Sequence, residues 1–226
     1  MSIAKNVEFV KNQIAMACER AGRSPEEVTI VAVTKYVDVP EIQALLDAGI
    51  THIGESRVQA AEAKLTQLEG KNFVAHMIGH LQRNKVARCL QLVDLIHSVD
   101  SWRLLVEIDK QGARLGKVTP CLLQVNVSGE ATKFGFSPEE LHSVLEGIHQ
   151  LPHVTVKGLM TMAPHHSNPE DTRPVFRSLR RLAEQIKAQN MPGVHMDELS
   201  MGMSNDYAIA VEEGATMVRI GSALFA

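Results

Sequence analysis

Lys35 closes the apolar run VTIVAVT, where an ammonium is partly desolvated and the neutral, imine-forming amine is favoured. The competing reading is a strand-end lysine that snorkels into water or pairs with a carboxylate. A second group lies near the other end of the chain. Ser200, Gly202, Ser204, Gly221 and Ser222 combine hydroxyls, small side chains and accessible backbone N–H groups, which together can cradle a phosphate dianion. Ordinary glycine-rich turns use the same residues. Arg219 stands just before the last of them, as a fixed cation facing a ligand or as the salt-bridge partner of Glu55, Asp197 or another strand-end carboxylate.

These residues can work together only if the fold gathers them. Ile3, Val7, Val10, Ile14 and Ala17 form one apolar stripe at helical spacing, and Gly22 ends that helix. Short β-branched runs then alternate with helical segments. Strands are predicted at 28–35, 51–53, 73–78, 94–99, 119–127, 153–160, 197–201 and 215–220. Helices are predicted through Ile42, Leu45 and Leu46 to Gly49, then over 57–68, 83–91, 101–114, 172–189 and 205–213. A further helix follows the capping box S-P-E-E at 137–140. Eight nearly continuous apolar strands imply a parallel sheet covered on both faces. The expected fold is therefore α/β, a single-domain (β/α)8 TIM barrel over residues 1–226 with an extra N-terminal helix. An open doubly wound sheet is the runner-up, but G-x-G-x-x-G is missing after the first strand. No linker, composition shift or low-complexity segment divides the chain.

Working groups in such a barrel come from the C-terminal strand ends, with phosphate held after strands seven and eight. That places Lys35 after strand one, Ser56 after strand two and Met160 at the end of strand six. Ser200 and Met201 end strand seven, and Arg219, Gly221 and Ser222 end strand eight. A lysine that forms imines, facing a phosphate cup across one mouth, is the layout that pyridoxal 5′-phosphate (PLP) requires. An arginine beside the pyridine nitrogen cannot readily accept a proton, so that nitrogen stays unprotonated and the ring is a weak electron sink.

The stretches VAVTKY (31–36), GESRVQ (54–59), HMIGHLQRNK (76–85), KFGF (133–136), VKGLMTMAP (156–164) and LSMGMSNDYAIAVEEGATMVRIGSALF (199–225) resemble the YggS/PROSC family of pyridoxal-phosphate homeostasis proteins. The resemblance runs in order along nearly the whole chain, and its last stretch is highly specific. It implies a fold like the N-terminal barrel of alanine racemase. It also implies Lys35 as the Schiff-base lysine, Arg219 at the pyridine nitrogen, Ser200, Gly221 and Ser222 around the phosphate, and Met160 and Met201 beside the cofactor. The family's second motif usually reads G-E-N-x-x-Q-E, whereas here Ser56 replaces the asparagine and Ala60 the final glutamate. Ser56 lacks the amide that would reach the ring hydroxyl. Ser222 stands where threonine is common and Ala226 where glycine is common.

Alanine-racemase chemistry, as the resemblance implies, needs a second base, a tyrosine from another domain of a partner chain. This sequence ends six residues after its last strand, and its only tyrosines are Tyr36 and Tyr207. The main expectation is a non-catalytic carrier that holds PLP on Lys35, buffers it and delivers it to PLP-dependent apoenzymes, with no catalytic residue. A small single-domain amino-acid racemase is the alternative. The resemblance favours a monomer.

Composition narrows the remaining classes. Twenty-three Lys+Arg against 26 Asp+Glu give a net charge of −3, which disfavours a nucleic-acid binder. Arg173, Arg177, Arg180, Arg181 and Lys187 interleave with Val175, Leu179, Leu182 and Ile186, the pattern of a solvated barrel-helix face rather than an RNA or protein site. Apolar stretches are too short for a membrane span and no signal core opens the chain, so a cytoplasmic protein is expected. Cys18, Cys89 and Cys121 read as reduced core thiols. Neither the His165–His166 pair nor His76 with His80 has the placement of a metal site, and no metal is expected. Asn84 and Lys85 read as helix-capping or rim residues.

Overall fold

A computed structural model describes residues 2–129, 134–164 and 168–226. Lys133 of KFGF and the His165–His166 pair lie outside the described residues. Eight strands form one closed parallel barrel in chain order, which excludes the open sheet. They are β1 (Thr29–Val33), β2 (His52–Glu55), β3 (Val74–Met77), β4 (Leu95–Val99), β5 (Thr119–Gln124), β6 (Val154–Met160), β7 (Val194–Ser200) and β8 (Met217–Ile220). Helices α2 (Val39–Asp47), α3 (Val58–Leu65), α4 (Val86–Leu92), α5 (Trp102–Leu115), α6 (Pro138–Gly147), α7 (Arg173–Lys187) and α8 (Tyr207–Glu212) connect successive strands. The expected N-terminal helix is α1 (Ile3–Ala21), and a short α9 (Ser222–Phe225) follows β8.

Local chemistry sets these boundaries. Gly22 takes the left-handed conformation, φ 65°, that ends α1. Ser137 and Glu140 make the expected capping box at the start of α6. β1 stops at Val33, two residues short of the expected end, because Lys35 and Tyr36 turn away from the ladder. β5 stops at Gln124 rather than 127: the Val125 N–H still donates to the Met160 carbonyl, but Val125 bridges Phe136 outside the strand, and the Asn126 N–H donates to the Phe136 carbonyl. β7 begins at Val194, earlier than its apolar residues suggest.

The barrel closes where β8 meets β1 in parallel register, Thr29 opposite Met217, and α1 secures that seam. Asn6 Nδ2 donates to the carbonyls of Leu224 (3.1 Å) and Ala226 (2.9 Å). Arg23 Nη1 donates to those of Val211 (2.7 Å) and Ala215 (2.9 Å). The main apolar core lies between strands and helices. A smaller cluster, Val31, Leu95, Leu122, Met160 and Met217, takes one residue from each of five strands and fills the interior. The three cysteines are free and buried, and burial pushes the Cys89 and Cys121 thiols up to about 12. Among the described residues no helix is long and apolar enough to cross a membrane.

Close approach of β6 to β7 needs a glycine, because a Cβ on Gly158 would collide with the Glu198 backbone. Gly158→Ala should lower the unfolding free energy by about 1–3 kcal/mol through overpacking. Urea denaturation checks this, and an unchanged midpoint would contradict the packing of these two strands.

Candidate functional site

The Lys35 turn is pinned from below. Thr34 Oγ1 donates to Glu55 Oε1 (2.5 Å), and Lys64 Nζ bridges the same oxygen (3.0 Å) and the Thr34 carbonyl (2.7 Å). Glu55 is thus committed to Lys64 and Thr34 rather than to Arg219. Lys35 itself is exposed, with Nζ 4.8 Å from the centre of the Tyr36 ring. The expected partial desolvation is therefore absent here: the strand ends before Lys35, which leaves its side chain on the rim.

Arg219 is the opposite case, a cation only 3% exposed at the end of β8. Its Nη1 donates to Ser200 Oγ (2.5 Å) and its Nη2 to the Thr161 carbonyl (2.9 Å). Neither Glu55 nor Asp197 pairs with it, since Asp197 meets Lys187. Burial lowers its pKa to about 10 while Asp206 acts in the opposite direction, so it is charged at neutral pH. Behind Ser200 stand three histidines in single file. His97 Nδ1 lies 2.8 Å from Ser200 Oγ, His76 Nδ1 2.9 Å from His97 Nε2, and His52 Nδ1 2.8 Å from His76 Nε2. Burial, and then His52, hold His76 down at about 3. Burial, His76 and Arg219 hold His97 well below the usual imidazole range. Both rings are neutral beside the guanidinium.

Lys35, Arg219, Gly221 and Ser222 line one cleft of about 510 Å³ at the barrel mouth, within the range of small-molecule sites. Ser204 Oγ accepts from the backbone N–H groups of Gly221 and Ala223, both at 3.3 Å. These are long bonds that an anion's oxygen could replace. The other expected site residues stand apart. Ser200 lies fully buried beneath Arg219 and is its support rather than a wall of the cleft. Met160 fills the barrel interior, and Met201 belongs to the core between strands and helices. Ser56 lines a neighbouring cleft of about 270 Å³ with His80 and Lys85, and its backbone sits where a Cβ on Gly79 would collide.

The cleft also contains residues absent from the expected set: Tyr36, Asn205, Asp206, Thr172 and Phe225. Asp206 and Asn205 could have been found as polar residues directly after the strand-seven turn. Thr172 and Phe225 come from elements whose approach no local pattern signals. His76 and His80 diverge: His76 enters the interior, while His80 meets Asp100 (2.9 Å) and stacks on Phe134. Among the described residues no three His, Cys, Asp or Glu side chains converge as a metal site. On α7, Arg173, Arg177 and Arg180 all engage Glu213, and Arg173 also engages Glu170 and Glu212. Those arginines are occupied by carboxylates.

The closed barrel with a rim lysine and a buried arginine at its mouth defines a protein of the alanine racemase N-terminal class. The family described as "Alanine racemase, N-terminal domain" matches residues 6–226. A pyridoxal phosphate homeostasis protein of Aquifex aeolicus is 41% identical over 225 residues, covering 100% of this chain and 98% of the relative. Two solved structures superpose closely. One, of an unknown protein from Bifidobacterium adolescentis, has a TM-score of 0.93 and 37% identity, covering 99% of this chain and 94% of its own. The other, PipY of Synechococcus elongatus PCC7942 with PLP bound, has a TM-score of 0.87 and 34% identity, covering 100% of both chains. The chain belongs to the family of pyridoxal phosphate homeostasis proteins.

Removing the hydroxyl beneath Arg219 leaves one guanidinium N–H and His97 Nδ1 unpaired in the interior. Ser200→Ala should cost about 1–3 kcal/mol of stability, read from urea or thermal unfolding. A change near zero would show that the Ser200 contacts add nothing to the fold.

Proposed function

We propose that this protein binds PLP in the mouth cleft and serves PLP homeostasis, holding the cofactor as a Schiff base on Lys35 and releasing it to PLP-dependent apoenzymes. One observation carries the reading: a primary amine, a buried guanidinium and the Gly221–Ser222 turn line a single cleft of fitting size. PLP bound to PipY, a full-length relative in sequence and fold, supports it. When bound, PLP supplies an aldehyde that condenses with a primary amine. Lys35 would provide that amine from an accessible rim, which suits loading and unloading.

Arg219 would face the pyridine nitrogen as a donor. Gly221 and Ser222 would hold the phosphate, with Ser204 giving up its two backbone N–H contacts. Ser200, Met160 and Met201 would support the site from beneath, and Ser56 would lie at its edge. We propose further that residues 1–226 act as one cytoplasmic, monomeric domain.

The positions of the two tyrosines support a carrier over a catalyst. Tyr36 lies against Lys35 itself, and Tyr207 is buried where α8 packs on the core. A second proton-transfer group opposite the lysine has no tyrosine to provide it.

Titration of the purified protein with PLP should produce the absorption band of a protein-bound imine. Lys35→Ala should abolish the band and weaken binding by tenfold or more, about the 1.4 kcal/mol that a tenfold change represents; an unchanged band in the variant would refute the assignment. Incubated with L- or D-alanine in deuterium oxide, the loaded protein should exchange the α-hydrogen no faster than free PLP. Exchange far above that rate would replace the carrier with the racemase.

A further inference from the structure

His76 and His97 each use both ring nitrogens, and His52 uses its Nδ1. A neutral imidazole has one donor and one acceptor, so the role of one nitrogen dictates the role of the other and, through contact, that of the next ring. His52, His76 and His97 therefore share a single direction. Ser200 determines which. Arg219 can only donate, so Ser200 Oγ accepts from it, and the hydroxyl hydrogen must go elsewhere. Among the described residues its acceptor is His97 Nδ1. His97 Nε2–H then donates to His76 Nδ1, and His76 Nε2–H to His52 Nδ1. The remaining proton of the column sits on His52 Nε2. His52 lines a separate cleft beside α1 at the opposite end of the barrel.

We propose that His52, His76 and His97 form a positioning column for Arg219: their common tautomer orients the Ser200 hydroxyl, and Ser200 in turn fixes the guanidinium that the ligand meets. The reverse direction would leave the fully buried Ser200 hydroxyl without an acceptor. The neutral state of His76 and His97 at physiological pH is consistent with this arrangement. None of the three histidines lines the mouth cleft, so they act on the ligand only through Ser200 and Arg219. Their effect on ligand binding rests on the proposed reading that PLP meets Arg219, whereas the tautomers follow from the protein's own contacts.

Two measurements test the column. The first uses ligand-free protein carrying 15N-labelled histidine, with long-range 1H–15N correlations identifying the protonated nitrogen of each ring. His52, His76 and His97 should all be neutral and protonated on Nε2, with the reversed form roughly tenfold or more less populated, the factor of one unmade buried hydrogen bond. His97 protonated mainly on Nδ1, or rings of differing sense, would overturn the column. The second measures PLP affinity in two variants. His97→Leu removes the acceptor of the Ser200 hydroxyl, whereas His97→Asn places a carbonyl oxygen near the position of Nδ1. The dissociation constant should rise about tenfold in His97→Leu, as expected for a lost buried hydrogen bond, and largely recover in His97→Asn. Equal loss in both variants, or none in either, would overturn the positioning role. Failure of the wild-type protein to take up PLP would overturn the cofactor reading alone, and the tautomers would then decide the column.

Discussion

The site depends on one buried cation. Taking a guanidinium out of water costs several kcal/mol unless other groups compensate for it. Arg219 donates to two neutral acceptors, Ser200 Oγ and the Thr161 carbonyl, and the Asp206 carboxylate favours its charged form. The two rings behind Ser200, His97 and His76, are held neutral and so add no second positive charge to that interior. Arg219 also lines the mouth cleft, so the charge faces the space that the proposed ligand would fill. On the proposed reading that ligand is PLP, and an arginine at its nitrogen suits keeping the cofactor rather than driving chemistry with it.

The barrel provides the geometry for this arrangement. Parallel closure puts all C-terminal strand ends on one rim, so Lys35 after the first strand and Gly221 after the last line one cleft across the seam. Asn6 of helix α1 and Arg23 just beyond its end tie that seam to the C-terminal residues. Inside, apolar residues and the histidine file share the lumen, each ring satisfying the next. Such a polar column is stable in an apolar interior only when every member is paired.

Much of this was legible in the sequence. The βα rhythm identified eight strands and their order, since near-continuous β-branched runs such as VTIVAV and ATMVRI have few other uses. Lys35, Arg219, Gly221 and Ser222 were accessible because strand ends in a barrel share a face. What the pattern could not supply was which side of a strand end a residue occupies. Ser200 and Met201 are adjacent, yet one supports Arg219 from the interior and the other packs against helices. Lys35 followed an apolar run and so looked desolvated, but the ladder stops two residues earlier. The histidine file was hidden because its members lie 24 and 21 residues apart, and only strand register aligns them. Period-two phase, with one histidine at an interior position in each of β2, β3 and β4, was the available clue.

The central claim concerns one nitrogen atom, Lys35 Nζ. Reducing the PLP-loaded protein with borohydride converts an imine into a stable secondary amine, and peptide mass mapping then locates it. A single phosphopyridoxyl group on the peptide containing Lys35 is the predicted result. A label on another lysine, spread over many lysines, or absent would contradict the account.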